Sequence, residues 1–160
     1  MAWTTPGTAV AGDVLTAARW NTDVRDNSNS LSRGIVAKIT QTSDYSLTTS
    51  TTDVTGLSVT WTAESNRIYL VKMISYASKG TNNGNFNLFL TDSSNNSKQE
   101  ASWSHFGTPS FFFAHIEVYE TGLSGSITRK IRGNLSTAGG TLSGGTTFPR
   151  QMFVIDMGLA

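Results

Sequence analysis

The chain contains no cysteine, so disulfides, thiol chemistry and cysteine-ligated metal sites are excluded together, and the redox compartment stays open. Charge is equally scarce. Lys, Arg, Asp and Glu make up only 14% of the 160 residues, against roughly a quarter in an average domain. A net charge of +1 offers no broad basic field to a nucleic acid and no polybasic face to anionic lipid. Long apolar stretches are missing too. The longest run is four residues, as in Phe111-Phe112-Phe113-Ala114, where a membrane helix needs about 20. Met1 to Gly12 has neither a basic start nor an apolar stretch, so no secretory signal is expected there.

Hydroxyls, amides and glycine fill the space that charge leaves. The chain carries 20 Ser, 23 Thr, 11 Asn and 15 Gly, a surface wetted without ions. Its 38% hydrophobic content includes 8 Phe, 4 Tyr and 4 Trp, enough for one compact core at this length. Composition shifts near residue 34, which predicts an N-terminal arm over 1–34 and a β domain over 35–160. In the arm, Thr16 can cap a helix of about eleven residues. Trp20 and Val24 fall on one face of it, and Arg19 can reach Asp23. Asn27-Ser28-Asn29-Ser30 ends it with side chains that compete for backbone hydrogen bonds. Such a helix is marginal alone and needs something to lie against.

From Ile35 onward the apolar period is two. Ile35, Ala37 and Ile39 alternate with Val36, Lys38 and Thr40, and Leu57, Val59 and Trp61 with Ser58, Thr60 and Thr62. Arg67 to Ser75 is apolar on both faces, which predicts a central, doubly covered strand. Further strands are expected around Phe86–Leu90, Phe111–Tyr119, Ile127–Leu135 and Met152–Met157. Turn chemistry separates them, as in Thr81-Asn82-Asn83-Gly84 and Asp92-Ser93-Ser94-Asn95-Asn96. Seven or eight such strands predict a mainly β protein: an antiparallel jelly-roll β-sandwich preceded by an arm with one short helix.

Chemistry is thinly represented. The two histidines, His105 and His115, fall on different predicted strands, and a zinc site would need both plus carboxylates. There is no G-x-S-x-G elbow. Glu64, Glu100, Glu117, Glu120 and Asp156 read as solvated carboxylates rather than a glycosidase pair, with Glu117 and Glu120 on opposite strand faces. Gly139-Gly140 and Gly144-Gly145 lack the P-loop lysine and read as loop flexibility. Arg129, Lys130 and Arg132 read as an exposed or ion-paired set. No catalytic, metal or cofactor site is expected, and no enzyme.

One strand asks for a partner. Phe111, Phe113 and Tyr119 lie opposite Phe112, Ile116 and Val118, and both faces are hard to bury in one small sandwich. Either the arm covers the second face as an extra core layer, or copies of the chain meet there. The second reading is favoured, with Phe111, Phe113, His115 and Tyr119 as the interface.

The arm carries a resemblance. Pro6-Gly7, Val10-Ala11-Gly12-Asp13-Val14-Leu15-Thr16-Ala17 and Trp20-Asn21-Thr22-Asp23-Val24-Arg25-Asp26-Asn27 resemble the opening segment of many tailed-bacteriophage structural proteins. The rest is similar to the jelly-roll domains of phage decoration, head-fibre and tail-fibre proteins, and the ending Phe148-Pro149-Arg150-Gln151-Met152-Phe153-Val154-Ile155-Asp156-Met157-Gly158 is similar to their final strand. The resemblance implies a homotrimer on the outer surface of a virion, without nucleic-acid or membrane partners. It implies anchoring through Trp3, Val10, Leu15, Trp20 and Val24 to a major capsid protein or another virion protein. Capsid decoration (cement) is the expected position. The alternative is a tail-fibre, head-fibre or baseplate module that meets a host receptor such as a surface glycan through Thr81–Asn85 and Ser136–Thr147.

Overall fold

The computed structural model describes residues 16–21, 31–80, 82–107 and 109–160. Of the expected arm helix, one turn lies within them: α1 (Ala17–Trp20), in which the Trp20 N–H donates to the Thr16 carbonyl at 2.9 Å. Trp3, Val10, Leu15 and Val24 lie outside the described residues.

Ten strands follow: β1 (Gly34–Gln41), β2 (Tyr45–Leu47), β3 (Thr52–Ala63), β4 (Arg67–Lys79), β5 (Gly84–Asp92), β6 (Ser97–His105), β7 (Ser110–Glu120), β8 (Gly125–Leu135), β9 (Gly140–Ser143) and β10 (Arg150–Leu159). Every ladder between them is antiparallel. The architecture is the expected mainly β sandwich of jelly-roll type. The six-stranded sheet is organised around β4, the longest strand. β7 runs along one flank of β4 from Tyr69 to Lys79. The other flank is shared: β10 pairs with Arg67 to Ile74, β9 with Tyr76 to Lys79, and β1 and β2 extend these in turn. The second sheet has the order β3-β8-β5-β6.

Alternation explains the core. On β4, Tyr69, Val71, Met73 and Ala77 point inward and are buried, as are Met152 and Val154 of β10. They meet Leu57, Val59 and Trp61 of β3, Phe86, Leu88 and Leu90 of β5, and Ile131 and Leu135 of β8. Aromatic contacts close both ends of this layer: Trp61 on Tyr69 at 5.7 Å, and Phe112 edge-on to Phe86 at 5.2 Å.

Four expectations need correction. Asp156 is not solvated: it is 1% exposed and pairs with the fully buried Arg67 between β4 and β10. Glu120 is also enclosed, because Arg129 reaches it from β8 at 2.7 Å and lies over the Trp61 ring. The alternation of β1 breaks at a bulge between Ile35 and Ala37, so Ile35 and Val36 are both exposed while Ala37 and Ile39 pack on the core. Gly144 serves close approach rather than flexibility, since a Cβ there would stand 1.9 Å from the Ser43 carbonyl oxygen.

The buried pair also fixes where the arm enters the domain. Arg67 donates to the Leu31 carbonyl, Ser32 Oγ donates to the Asp156 carbonyl, and Arg33 pairs with Glu64. Removing one partner of such a pair strands the other charge in the interior, at a cost of about 3–5 kcal/mol. Asp156→Ala is therefore expected to lower the urea-unfolding free energy by about that amount. A change near zero would mean that Arg67 finds water.

Candidate functional site

The two outer faces of the sandwich differ in kind. On the four-stranded sheet the outward side chains satisfy one another: Thr60 with Thr128 at 2.8 Å, Asn87 with Asn134 at 2.8 Å, and Ser102 with Asn87 at 2.6 Å. Lys130 and Arg132 converge on Asp53 at 2.8 and 3.0 Å, and the hydrogen bond from Lys130 holds the Asp53 carboxyl below its usual range. This face is clothed in its own polar network and suits water.

The outer face of the six-stranded sheet is apolar across four strands. Register places its side chains in rows. Tyr119 of β7 stands beside Leu70 of β4, then Ile155 of β10 and Ile35 of β1. At the opposite end Phe113 stands beside Tyr76, and Phe111 beside Ser78. Phe111 is 81% exposed, Tyr119 61% and Phe113 50%. Between these ends runs a more polar band, in which Lys72 pairs with Glu117 at 2.9 Å and lowers the Glu117 carboxyl below its ordinary pKa. His115 lies in the same band, its ring 6.4 Å from Phe113 and nearly parallel to it.

The four residues expected to form a subunit interface, Phe111, Phe113, His115 and Tyr119, thus share the outward face of β7, and all four are exposed. Trp20, the one expected arm contact within the described residues, is half-exposed. The sequence reading missed the continuation of the face: Tyr76, Ile155, Met157 and Phe148. Leu70 and Ile74 signalled it through the two-faced pattern of β4, but the pairing of β4 with β10 is long-range and left no local mark.

At the Phe111 end, the face deepens into an open groove of about 590 Å³ lined by Asp44, Tyr76, Phe111, Ser143, Thr146 and Phe148, among others. Its walls are held from behind. Asp44 Oδ1 accepts from the Gly144 N–H at 2.8 Å, and Arg150 Nε donates to the Ser43 carbonyl at 3.0 Å. Those contacts bring the β1–β2 turn against the start of the β9–β10 loop, and the loop then lays Phe148 on Tyr76 at 4.5 Å. Arg150 is itself buried and stacks on Tyr45 at 5.6 Å; desolvation lowers its pKa, and the Asp44 charge opposes that shift.

Other polar clusters do structural work. Ser110 Oγ meets His105 Nδ1 at 2.7 Å across the β6–β7 turn. This contact clamps the ends of the turn, whereas a hydrolytic triad would use the other ring nitrogen for serine and add a carboxylate. Lys79, 1% exposed, donates to the Asn82 carbonyl, Thr137 Oγ1 and the Ala138 carbonyl at 3.2 Å each, and so ties two loops together. Among the described residues no three His, Asp or Glu side chains are placed to hold a metal ion, and no helix is long and apolar enough to cross a membrane.

No family model and no curated protein matches the chain. Among solved structures it is similar to the CBM1 module of BiXyn10A in its apo form, at 13% identity and a TM-score of 0.33, over 75% of this chain and 96% of that one. It is also similar to the enzymatically active domain of tailspike protein 4 of bacteriophage CBA120, at 13% identity and a TM-score of 0.27, over 69% of this chain and 15% of that one. Overlaps this loose assign neither a family nor an activity.

What marks this face is the company its rings keep: Phe111, Phe113 and Tyr119 are exposed on one strand, with Tyr76 and Phe148 beside them. They lie on either side of the Lys72–Glu117 band, and exposed aromatic clusters of this kind mark association surfaces. If the face is open in the monomer, Phe111→Ser with Phe113→Ser should change unfolding free energy by no more than about 0.5 kcal/mol per site. Met73→Ala, in the core, should cost about 2–5 kcal/mol. Thermal and urea unfolding at high dilution make the comparison. A core-sized loss at Phe111 and Phe113 would place them under a layer of the chain's own residues.

Proposed function

We propose that this chain is a non-enzymatic structural protein of a tailed-phage particle. It assembles as a homotrimer through the outer face of its six-stranded sheet and holds a virion partner through residues 1–34. The observation that carries the reading is the asymmetry of the sandwich: one outer face satisfied by its own hydroxyls and amides, the other apolar across four strands. The arm signature from Val10 to Asn27 supports the particle, and the scarcity of ionic chemistry fits a role in assembly.

Capsid decoration is the position we assign, with the major capsid protein as the partner of the arm. The point where the arm enters supports an anchoring role. Leu31, Ser32 and Arg33 are tied to Arg67, Asp156 and Glu64, so a pull on the arm is passed to β4 and β10 rather than peeling a loop. Three arms on one trimer raise the effective concentration of each weak contact, a gain that can reach 10²–10⁴ in avidity.

Light scattering of the purified protein should give three times the chain mass of 17.2 kDa, and Phe113→Asp with Tyr119→Asp should return the single-chain mass without loss of fold. Deleting residues 1–30 should leave the trimer intact but abolish its binding to capsids that lack it. A truncated trimer that still saturates capsids would remove the arm as anchor. Quantitative mass spectrometry of purified particles should count hundreds of copies. A count in the tens, with binding of host surface glycan by the isolated protein, would move it to a fibre or baseplate.

A further inference from the structure

The apolar face ends in a hole, and the same end of the sandwich carries a knob. Phe106 is 79% exposed and stands in the short turn between β6 and β7. That turn is stiff. His105 and Ser110 clamp its ends at 2.7 Å, and Gly107 adopts a φ of +77°, a conformation L side chains rarely take. A large apolar side chain held out into water on a clamped turn has lost little of its binding energy to ordering in advance. The hole is the groove between Tyr76, Phe111 and Phe148, whose walls do not include Phe106.

We infer that Phe106 of one copy seats in the Tyr76–Phe111–Phe148 groove of the next, so that the trimer is a head-to-tail ring. This rests on the trimer reading above and specifies its geometry. Three observations select a second copy as the occupant. First, the groove is continuous with the apolar face of β7, so whatever covers that face lies at its mouth. Second, its one charged wall, Asp44, is backed by the buried Arg150, which suits a neutral apolar group better than a cation. Third, knob and hole are different surfaces of one chain. A contact between different surfaces is heterologous, and repeated with rotation it closes a ring. A two-fold contact would seat each Phe106 in the other copy's groove and stop at a dimer, so it is the three-fold reading above that makes this contact a ring.

The face alone also falls short. Its extent, on the order of 600 Å², lies below the roughly 800 Å² per partner of a standard interface. A buried aromatic anchor in a pocket is the kind of contact that supplies the remainder.

Phe106→Ser tests the knob. Its site is exposed, so the melting temperature of the diluted single chain should be unchanged, while the trimer dissociation constant should rise more than about tenfold. The lack of native cysteine allows a second test that leaves Phe106 in place. With Pro109→Cys and Thr147→Cys in one chain, a short bismaleimide should give covalent trimers, and each single substitution should give none. Cross-linking by Thr147→Cys alone would mean groove-to-groove pairing and overturn the inference. A parent trimer that persists in Phe106→Ser and does not cross-link would overturn it too, leaving the trimer reading in place and the groove free for another ligand. A parent protein that is monomeric at all concentrations would defeat both.

Discussion

A β-sheet with two apolar faces has a problem that its own chain must solve or hand on. β4 is such a strand, with Tyr69, Val71 and Met73 inward and Leu70 and Ile74 outward, and β7 and β10 repeat the pattern beside it. The four-stranded sheet covers most of the inner face, leaving Phe112 and Val118 of β7 and Ala37 and Ile39 of β1 partly buried. The outer face keeps Phe111, Phe113, Tyr119 and Ile35 in contact with water. The whole face spans on the order of 600 Å² and its polar band contributes nothing apolar, so at about 25 cal/mol per Å² the gross driving force stays below about 15 kcal/mol. Association consumes about 4–15 kcal/mol before any affinity appears. The two figures are comparable, so the face favours assembly only where the partner fits it. That narrow margin gives weight to the shape of the groove at the Phe111 end.

The opposite face shows why so little charge suffices. Asn87, Asn134, Ser102, Thr60 and Thr128 hydrogen-bond across the strands of the second sheet, so the backbone surface they cover is wettable without ions. The few charges are spent locally: Lys130 and Arg132 share one carboxylate, Asp53, and Arg129 takes Glu120 out of solvent. Little long-range field remains to steer the molecule. Recognition then depends on shape and on apolar contact.

Much of this architecture was legible in the sequence, and what escaped it escaped for physical reasons. The class of fold, the central position of β4 and the outward set on β7 followed from period-two alternation, which is local. β6 did not, because its outward residues are polar and only Ala101 and Trp103 pack on the core. β2 and β9 are three and four residues long, too short for a period. The bulge in β1 shifts the phase of alternation, so Ile35 was read on the wrong face. Asp156 could not be told from a surface carboxylate, since its partner Arg67 is 89 positions away. The groove depends on four segments that meet only in the fold: the β1–β2 turn, the end of β4, the start of β7 and the β9–β10 loop. Phe148 was visible in the sequence only as part of a terminal motif.

The same two strands link the features that matter. β4 begins at Arg67, where the arm enters, and passes Tyr76, a wall of the groove, before it ends. β10 runs the other way, from Arg150 behind the groove to Asp156 in the buried pair. The two ends are about 30 Å apart at ~3.3 Å per residue, joined by continuous antiparallel ladders. The arm therefore enters at one pole of the sandwich and the groove opens at the other. Because the rise of a paired strand barely changes, the distance between them is fixed by the ladders. An ion pair is well suited to the arm's pole, where direction and register must be fixed. Apolar rings line the other, where the Phe148–Tyr76 contact shapes a surface that favours excluding water over pairing charge.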